Sequence, residues 1–307
     1  FIISLLISDL RSISGPMPLT SPILKPMVNF LLKSFFINLR GNNIQIYIQL
    51  IVMRTIKTKK KFGQHFLTND NVASKIVNEI TSKENILEIG PGDGILTKYL
   101  LDKKLKNFCV SEIDIEVINF LRERFNKIII LEGDFLKLEL NKIFDSNLSI
   151  IGNLPYNISS QILFKIYNSN HSVTEFVVML QKEVAERICS KSGNKKFGIL
   201  SVLLQTFYDL RIVCDIQPNE FNPKPKVIST VVKGVKNSCY NIGIDLNFYK
   251  TIVKSCFQNR RKTLRNSLKN INLPHNLTSK SIFSKRAEQL DIKDYIWLSK
   301  QIKNILQ

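Results

Sequence analysis

The chain has only five cysteines in 307 residues, and Cys109, Cys189, Cys214, Cys239 and Cys256 stand singly, with no C-x-x-C pair among them. An odd, dispersed set excludes a disulfide framework and a structural zinc site, and reads as a reduced, cytoplasmic chain whose thiols are small buried hydrophobes. Long apolar runs are missing as well. Asp9, Arg11, Lys25, Lys33 and Arg40 interrupt residues 1–52 before any stretch reaches the roughly 18 residues of a membrane span, and Pro16, Pro18, Pro22 and Pro26 oppose a helix there. The same segment lacks the positively charged start of a secretory signal. No internal repeat is visible, which removes solenoid and propeller architectures. Acidic residues are scarce: 25 Asp and Glu face 44 Lys and Arg, a formal charge of +19.

What remains is a globular composition, 44% hydrophobic and 22% charged, which sets aside disordered and fibrous classes. The length allows one large domain, or a large one with a small companion. The basic balance points to a polyanionic partner, with nucleic acid favoured over an acidic membrane surface. Coding biased toward A and T, which enriches Lys, Ile and Asn, is the competing source of that charge. The chain begins at Phe1, and Met53 is followed at once by RTIKTKKKFGQHFL. Residues 1–52 are therefore expected to be a leader outside the functional protein, with an organelle transit peptide as the alternative.

From residue 85 onward, short β-branched runs alternate with amphipathic stretches. NILEI (85–89), NFCVSEI (107–113), KIIIL (127–131), LSIIGN (148–153) and EFVVML (175–180) are expected strands. ILTKYLLDKK, IEVINFLRERF and SSQILFKIYNS carry apolar residues at helical spacing between them. This alternation implies an α/β fold, a mostly parallel sheet covered on both faces. Helical KEVAERICS and GILSVLLQTFY follow, then strand-like LRIVCDI and KVISTVVKGV. Beyond Cys239 the texture is helical, in FYKTIVKSCFQ, RRKTLRNSLKN and RAEQLDIKDYIWLSKQIKNIL. The chain thus divides into a 53–237 α/β domain and a small all-helical domain over 238–307, where 13 basic residues face 4 acidic ones.

The first of these strands ends in ILEIGPGDGIL, with Gly90, Gly92 and Gly94 at alternate positions and Glu88 within the strand. Glycines at a strand-to-helix turn let backbone approach a ligand, and doubly wound folds bind ligands at the carboxyl ends of their strands. A dinucleotide fingerprint requires G-x-G-x-x-G, and Ile95 breaks that spacing. The loop fits S-adenosylmethionine instead, whose sulfonium a positive site would repel; a plain tight turn is the alternative. Glu112 ends the second strand, where an acid can accept hydrogen bonds from both ribose hydroxyls. Asp134, after the third, is placed to accept from an adenine amino group. Each acid taken singly reads equally as a loop residue or a helix cap.

Asn153-Leu154-Pro155-Tyr156 follows the fourth strand. An exocyclic adenine amine is a poor nucleophile because its lone pair is delocalised into the ring. The Asn153 side-chain carbonyl and the Leu154 backbone carbonyl could accept both amine hydrogens and localise that lone pair. Pro155 fixes the local φ and offers no competing N–H. Tyr156 offers a face on which an unstacked base can rest, worth about 1–3 kcal/mol in such contacts. A proline turn with a core tyrosine is the structural alternative.

In combination and in order, KKKFGQHFLTND, EIGPGDGILT, EIDIEV, GDFL, GNLPYNISS, MLQKEVAER, FGILSVLLQ, FNPKPKV, QNRRKTLRNSLK and RAEQL resemble the KsgA-type ribosomal RNA adenine dimethyltransferases, over about residues 57–305. The resemblance implies a class I S-adenosylmethionine-dependent methyltransferase domain, Rossmann-like with seven strands, followed by a small all-helical C-terminal domain. It implies transfer of methyl groups to N6 of two adjacent adenines in the 3′-terminal hairpin of small-subunit ribosomal RNA, by direct SN2 displacement without metal or general base. Carried over by position, the cofactor contacts are His65, Leu67, Gly90, Glu112, Asp134 and Asn153. The catalytic set is Asn153, Leu154, Pro155, Tyr156 and Phe221, the last expected to sandwich the target base with Tyr156. The implied partner is an immature 30S subunit, approached by a monomer with no membrane requirement. Lys57, Lys59 to Lys61, Arg260, Arg261, Lys262 and Arg265 are expected on the RNA backbone, the alternative being solvated faces. Two rivals stand: an Erm-type large-subunit adenine methyltransferase, disfavoured by Leu154 where that group usually has isoleucine, and a non-catalytic ribosome-assembly factor.

Overall fold

A computed structural model describes residue 59 and residues 63–125, 128–144, 147–237 and 242–306. Residues 1–52, Lys57, Lys60, Lys61 and Cys239, for which the sequence sets expectations, lie outside the described residues. The compact unit that holds the described ones runs from Ile56 to Gln307.

Seven strands form one sheet: β2 (Asn85–Ile89), β3 (Asn107–Glu112), β4 (Ile129–Glu132), β5 (Leu148–Asn153), β6 (Val173–Gln181), β7 (Tyr208–Ile216) and β9 (Ser229–Lys236), in the order β4-β3-β2-β5-β6-β9-β7. The first five are parallel, and β9 runs antiparallel to both β6 and β7. A separate short antiparallel pair joins β1 (Phe66–Leu67) to β8 (Phe221–Asn222). The chain passes from β2 outward to β4 and returns to β5 on the far side of β2, so the carboxyl ends of β2 and β5 flank the point where strand order reverses. Ligand clefts form at such points because the loops leaving the two strands diverge.

Period-2 burial explains the layers. Ile86 and Glu88 of β2 face one side, with Ile151, Val177 and Met179; there they meet Ala73, Ile76 and Val77 of α1 (Asp70–Asn78) and Leu96 and Leu100 of α2 (Ile95–Leu101). Leu87 and Ile89 face the other side, with Ile150, Phe176, Val178 and Leu180, and pack against α4 (Ser159–Asn168), α5 (Lys182–Cys189) and α6 (Ile199–Gln205). The amphipathic α3 (Ile115–Arg124) closes the β3 end through Val117 and Leu121 on Val110. Asn69 caps α1 by accepting from the amides of Asn71 and Val72, and Asp114 caps α3 through the amide of Glu116.

The C-terminal helices α7 (Leu246–Gln258), α8 (Leu264–Ser267), α9 (His275–Thr278) and α10 (Ile292–Leu306) continue the second apolar layer without a break: Tyr249, Ile252, Tyr295 and Leu298 share one cluster with α4 and α6. Polar laces cross the same junction, since Tyr167 Oη donates to the Leu246 carbonyl at 2.9 Å and Thr206 Oγ1 lies 3.0 Å from Tyr249 Oη. The expected helix over RRKTLRNSLKN shrinks to the single turn of α8 and a 3-10 turn at Lys269–Ile271. Three adjacent cations weaken helix there, and tertiary bonds claim the backbone instead: Thr263 bridges Arg286 and Leu264 N–H donates to the Lys285 carbonyl. Among the described residues no helix is long and apolar enough to cross a membrane.

Candidate active site

The loop after β2 is left-handed at each of its glycines, with φ of +61°, +58° and +81° at Gly90, Gly92 and Gly94. Two of these positions also lack room for a side chain. A Cβ at Gly92 would lie 2.8 Å from the Phe66 ring, and one at Gly94 would lie 2.4 Å from Phe125. Gly90 N–H donates to the Ser111 carbonyl and Gly133 N–H to the Glu112 carbonyl, so the ends of β2, β3 and β4 are stitched into one floor. At Gly152 a Cβ would approach the Ile89 carbonyl to 2.5 Å, so β5 can sit beside the glycine loop only without a side chain there.

Above this floor opens a cavity of about 270 Å³. His65, Gly90, Glu112, Asp134, Asn153, Leu154, Pro155 and Tyr156 all line it, drawn together from five separate segments of the chain. Leu67 and Phe221 do not. They are register partners in the β1–β8 pair, each 2% exposed within the apolar cluster under α1. In this geometry Phe221 forms no sandwich with Tyr156, because the pairing turns its ring into the core. The ring that does stack on Tyr156 is His65, at 5.5 Å between centroids and 27° between planes.

Carboxylates dominate the electrostatics. Glu88 is 1% exposed beneath the glycine loop and accepts from Thr97 Oγ1 at 2.7 Å. Burial, reinforced by the nearby Asp93 and Glu112, pushes its carboxyl up to about 8. Burial also raises Asp93 and Glu112 above the ordinary carboxylate range, although the amides of Asp114, Ile113 and Gly92 partly offset it at Glu112. Glu112 Oε1 accepts from Ile113 and Asp114 N–H at 2.8 and 2.9 Å, and Asp134 Oδ1 from Leu136 N–H at 2.9 Å. Both acids are thus held rigidly by backbone while lining the cavity.

The segment before β1 straps across the site. Lys59 Nζ pairs with Asp114 at 2.6 Å and Glu116 at 3.1 Å, and Gln64 Nε2 donates to the other Asp114 oxygen at 3.2 Å. Burial pushes the Asp114 carboxyl up, but these partners and the Glu116 amide outweigh it and hold it below the ordinary range. The charge of Lys59, expected on RNA, is therefore spent within the molecule. His65 Nδ1 lies 2.7 Å from the Pro223 carbonyl, and the His65 carbonyl accepts from Asn153 Nδ2 at 2.7 Å. That last bond commits the amide nitrogen of Asn153 and leaves Oδ1 as its acceptor. Asp114 and Gln64 were not anticipated, although both lie inside the recognised EIDIEV and GQHFL stretches. Arg260 and Arg265 also have internal partners: Arg260 donates to the carbonyls of Lys195 and Phe197, and Arg265 to Thr278 at 3.0 Å. Arg261 and Lys262 are exposed.

The residues present suit S-adenosylmethionine. A Cβ at Gly90 would project into open space, so the floor is a cradle. Its rim carries an acid suited to a ribose diol, another suited to an adenine amine, and no lysine or arginine among the lining side chains to repel a sulfonium. No group of three or more His, Cys, Asp or Glu among the described residues could hold a metal ion.

This strand order, with a ligand cleft at the carboxyl ends of β2 and β5, defines a class I S-adenosylmethionine-dependent methyltransferase. A family model described as ribosomal RNA adenine dimethylase matches residues 55–303. The Ribosomal RNA small subunit methyltransferase A of Flavobacterium johnsoniae is 46% identical over 256 residues, 82% of this chain and 98% of that protein. The crystal structure of a dimethyladenosine transferase from Plasmodium falciparum superposes with a TM-score of 0.68 at 27% identity, over 78% of this chain and 98% of that one. The 23S rRNA methyltransferase ErmE shares the fold, with a TM-score of 0.59 at 21% identity over 78% and 99% of the two chains. The chain belongs to the ribosomal RNA adenine dimethylase family.

Proposed function

We propose that this enzyme dimethylates N6 of two adjacent adenines in the 3′-terminal hairpin of small-subunit ribosomal RNA, working in the cytoplasm as a monomer on an immature 30S subunit. S-adenosylmethionine supplies the methyl group as a sulfonium electrophile. Gly90, Glu112 and Asp134 would hold it, with the His65 backbone as a further contact. Asn153 Oδ1 and the Leu154 carbonyl accept the two amine hydrogens and draw the nitrogen lone pair out of the ring. Tyr156 carries the base on its face. The enclosing loops position the reactants and exclude water, which supplies most of the rate enhancement without a dedicated base. As the N–C bond forms, the sulfur–methyl bond would break to leave a neutral thioether, and the proton would pass to solvent after alkylation has made the amine acidic. The helical region from Leu246 onward, with exposed Arg261 and Lys262, presents charge to the RNA backbone.

The observation that carries this reading is the Asn153 amide, whose nitrogen is bonded to the His65 carbonyl and whose oxygen is thereby left as an acceptor at the cavity. Asn153→Ala is expected to abolish methyl transfer while sparing RNA binding, measured with labelled cofactor and by filter binding. Undiminished methylation sinks the assignment. Incubation with immature small and large subunits, followed by mapping of the methylated bases, separates this substrate from that of the Erm-type enzymes.

A further inference from the structure

Tyr156 is held at its outer end as well as at its backbone. Its Oη lies 2.5 Å from Ser229 Oγ, where either hydroxyl can donate. Ser229 is the first residue of β9 and is 0% exposed. It stands in register with Gln181 of β6 on one side and Ile216 of β7 on the other, so ladder bonds fix its Cα from both directions. The tyrosine, by contrast, leaves the turn after Pro155 on two rotatable torsions, and its backbone alone leaves the ring plane free to swing. Burial raises the phenol above its ordinary range, so the hydroxyl stays protonated at neutral pH.

A stacking face has catalytic value only if its plane is fixed, because the base laid on it must present its amine to Asn153 within a fraction of an ångström. We propose that Ser229 is a positioning residue for methyl transfer: its hydroxyl, bonded to the Tyr156 hydroxyl, locks the plane on which the target adenine stacks. His65 braces the same ring through its own stacked ring, and its Nδ1 is in turn tied to Pro223 on the segment leading into β9. The ring is thus anchored at its tip by the sheet and braced along one face by the strap. The inference rests on Tyr156 being the platform for the base.

Removing either hydroxyl leaves the other unsatisfied and frees the ring plane, and the resulting misplacement of the base is worth about tenfold in rate. The test is a double-mutant cycle of Ser229→Ala and Tyr156→Phe on the full chain. It reads kcat and KM with immature small subunits, cofactor Kd and Tm, with Tyr156→Ala alongside. Ser229→Ala and Tyr156→Phe are each expected to lower kcat about tenfold, and the double variant to be no worse than either, since all three lack the same bond. Cofactor Kd should not move, which a merely structural role would not predict. The proposal is overturned by full kcat in Ser229→Ala, by losses that multiply in the double variant, or by a parallel weakening of cofactor Kd. If Tyr156→Ala stays active, the stacking platform itself is wrong; if Tyr156→Ala is dead and Ser229→Ala fully active, only the positioning role fails.

Discussion

Glu88 sits under the glycine loop with its carboxyl raised to about 8, and replacing it with glutamine should stabilise the protein in alkaline solution. Thr97 Oγ1 donates to Glu88 Oε2 at 2.7 Å, a bond that the glutamine carbonyl can still accept, and the residue is 1% exposed, so solvent screens little of the burial. Holding this group at about 8 where the unfolded chain holds it near 4.5 costs about 5 kcal/mol once both states are ionised, at about 1.36 kcal/mol per pH decade. The sign follows from proton binding. Between pH 4.5 and 8 the folded state keeps a proton that the unfolded state releases, so stability falls as pH rises through that window and levels off above it. Urea denaturation of wild type and Glu88→Gln at pH 5 and pH 8.5 should show the wild type losing about 4 kcal/mol more than the variant between the two. Equal losses in both would refute the buried, proton-holding carboxyl. In alkaline solution, where the wild-type acid is ionised, the same variant should also bind cofactor more weakly, because a sulfonium cofactor would lose the attraction of a negative charge under the glycine loop, and isothermal titration reads the difference directly.

A Cβ at Gly152 meets the Ile89 carbonyl at 2.5 Å, so Gly152→Ala should cost about 1–3 kcal/mol in denaturant unfolding and lower methyl transfer by displacing Asn153. Neutralising exposed Arg261 and Lys262 should reduce the salt slope of RNA affinity by about 0.7–0.9 for each phosphate they pair with, whereas Arg260→Ala should lower Tm by removing the bonds to Lys195 and Phe197. An unchanged slope in the double neutralisation would remove those two side chains from the RNA surface.

Much of the framework was legible in the residues. NILEI and LSIIGN coincide with β2 and β5, and the helices between strands begin where expected, because alternation and 3.6-residue spacing are local and survive in any well-packed sheet. The acids and the NLPY turn were also legible, since each follows a strand, and in a parallel sheet all such ends face the same side. The helix expected over residues 260–270 was not, because its fate depended on carbonyls of residues far away in sequence.

The sequence by itself determined the sheet, the glycine loop, the acids at the ends of β3 and β4 and the family. Tertiary structure decided what each side chain faces. It buried Phe221 and Leu67 through a two-residue strand pair too short to show periodicity. It paired Lys59 with Asp114, gave Arg260 to backbone carbonyls, turned the Asn153 amide by means of the His65 carbonyl, and set Ser229 against the tip of Tyr156. The physical reason is that hydrophobic periodicity records which face of an element is buried, whereas hydrogen bonds and ion pairs join atoms from elements brought together only when the layers pack.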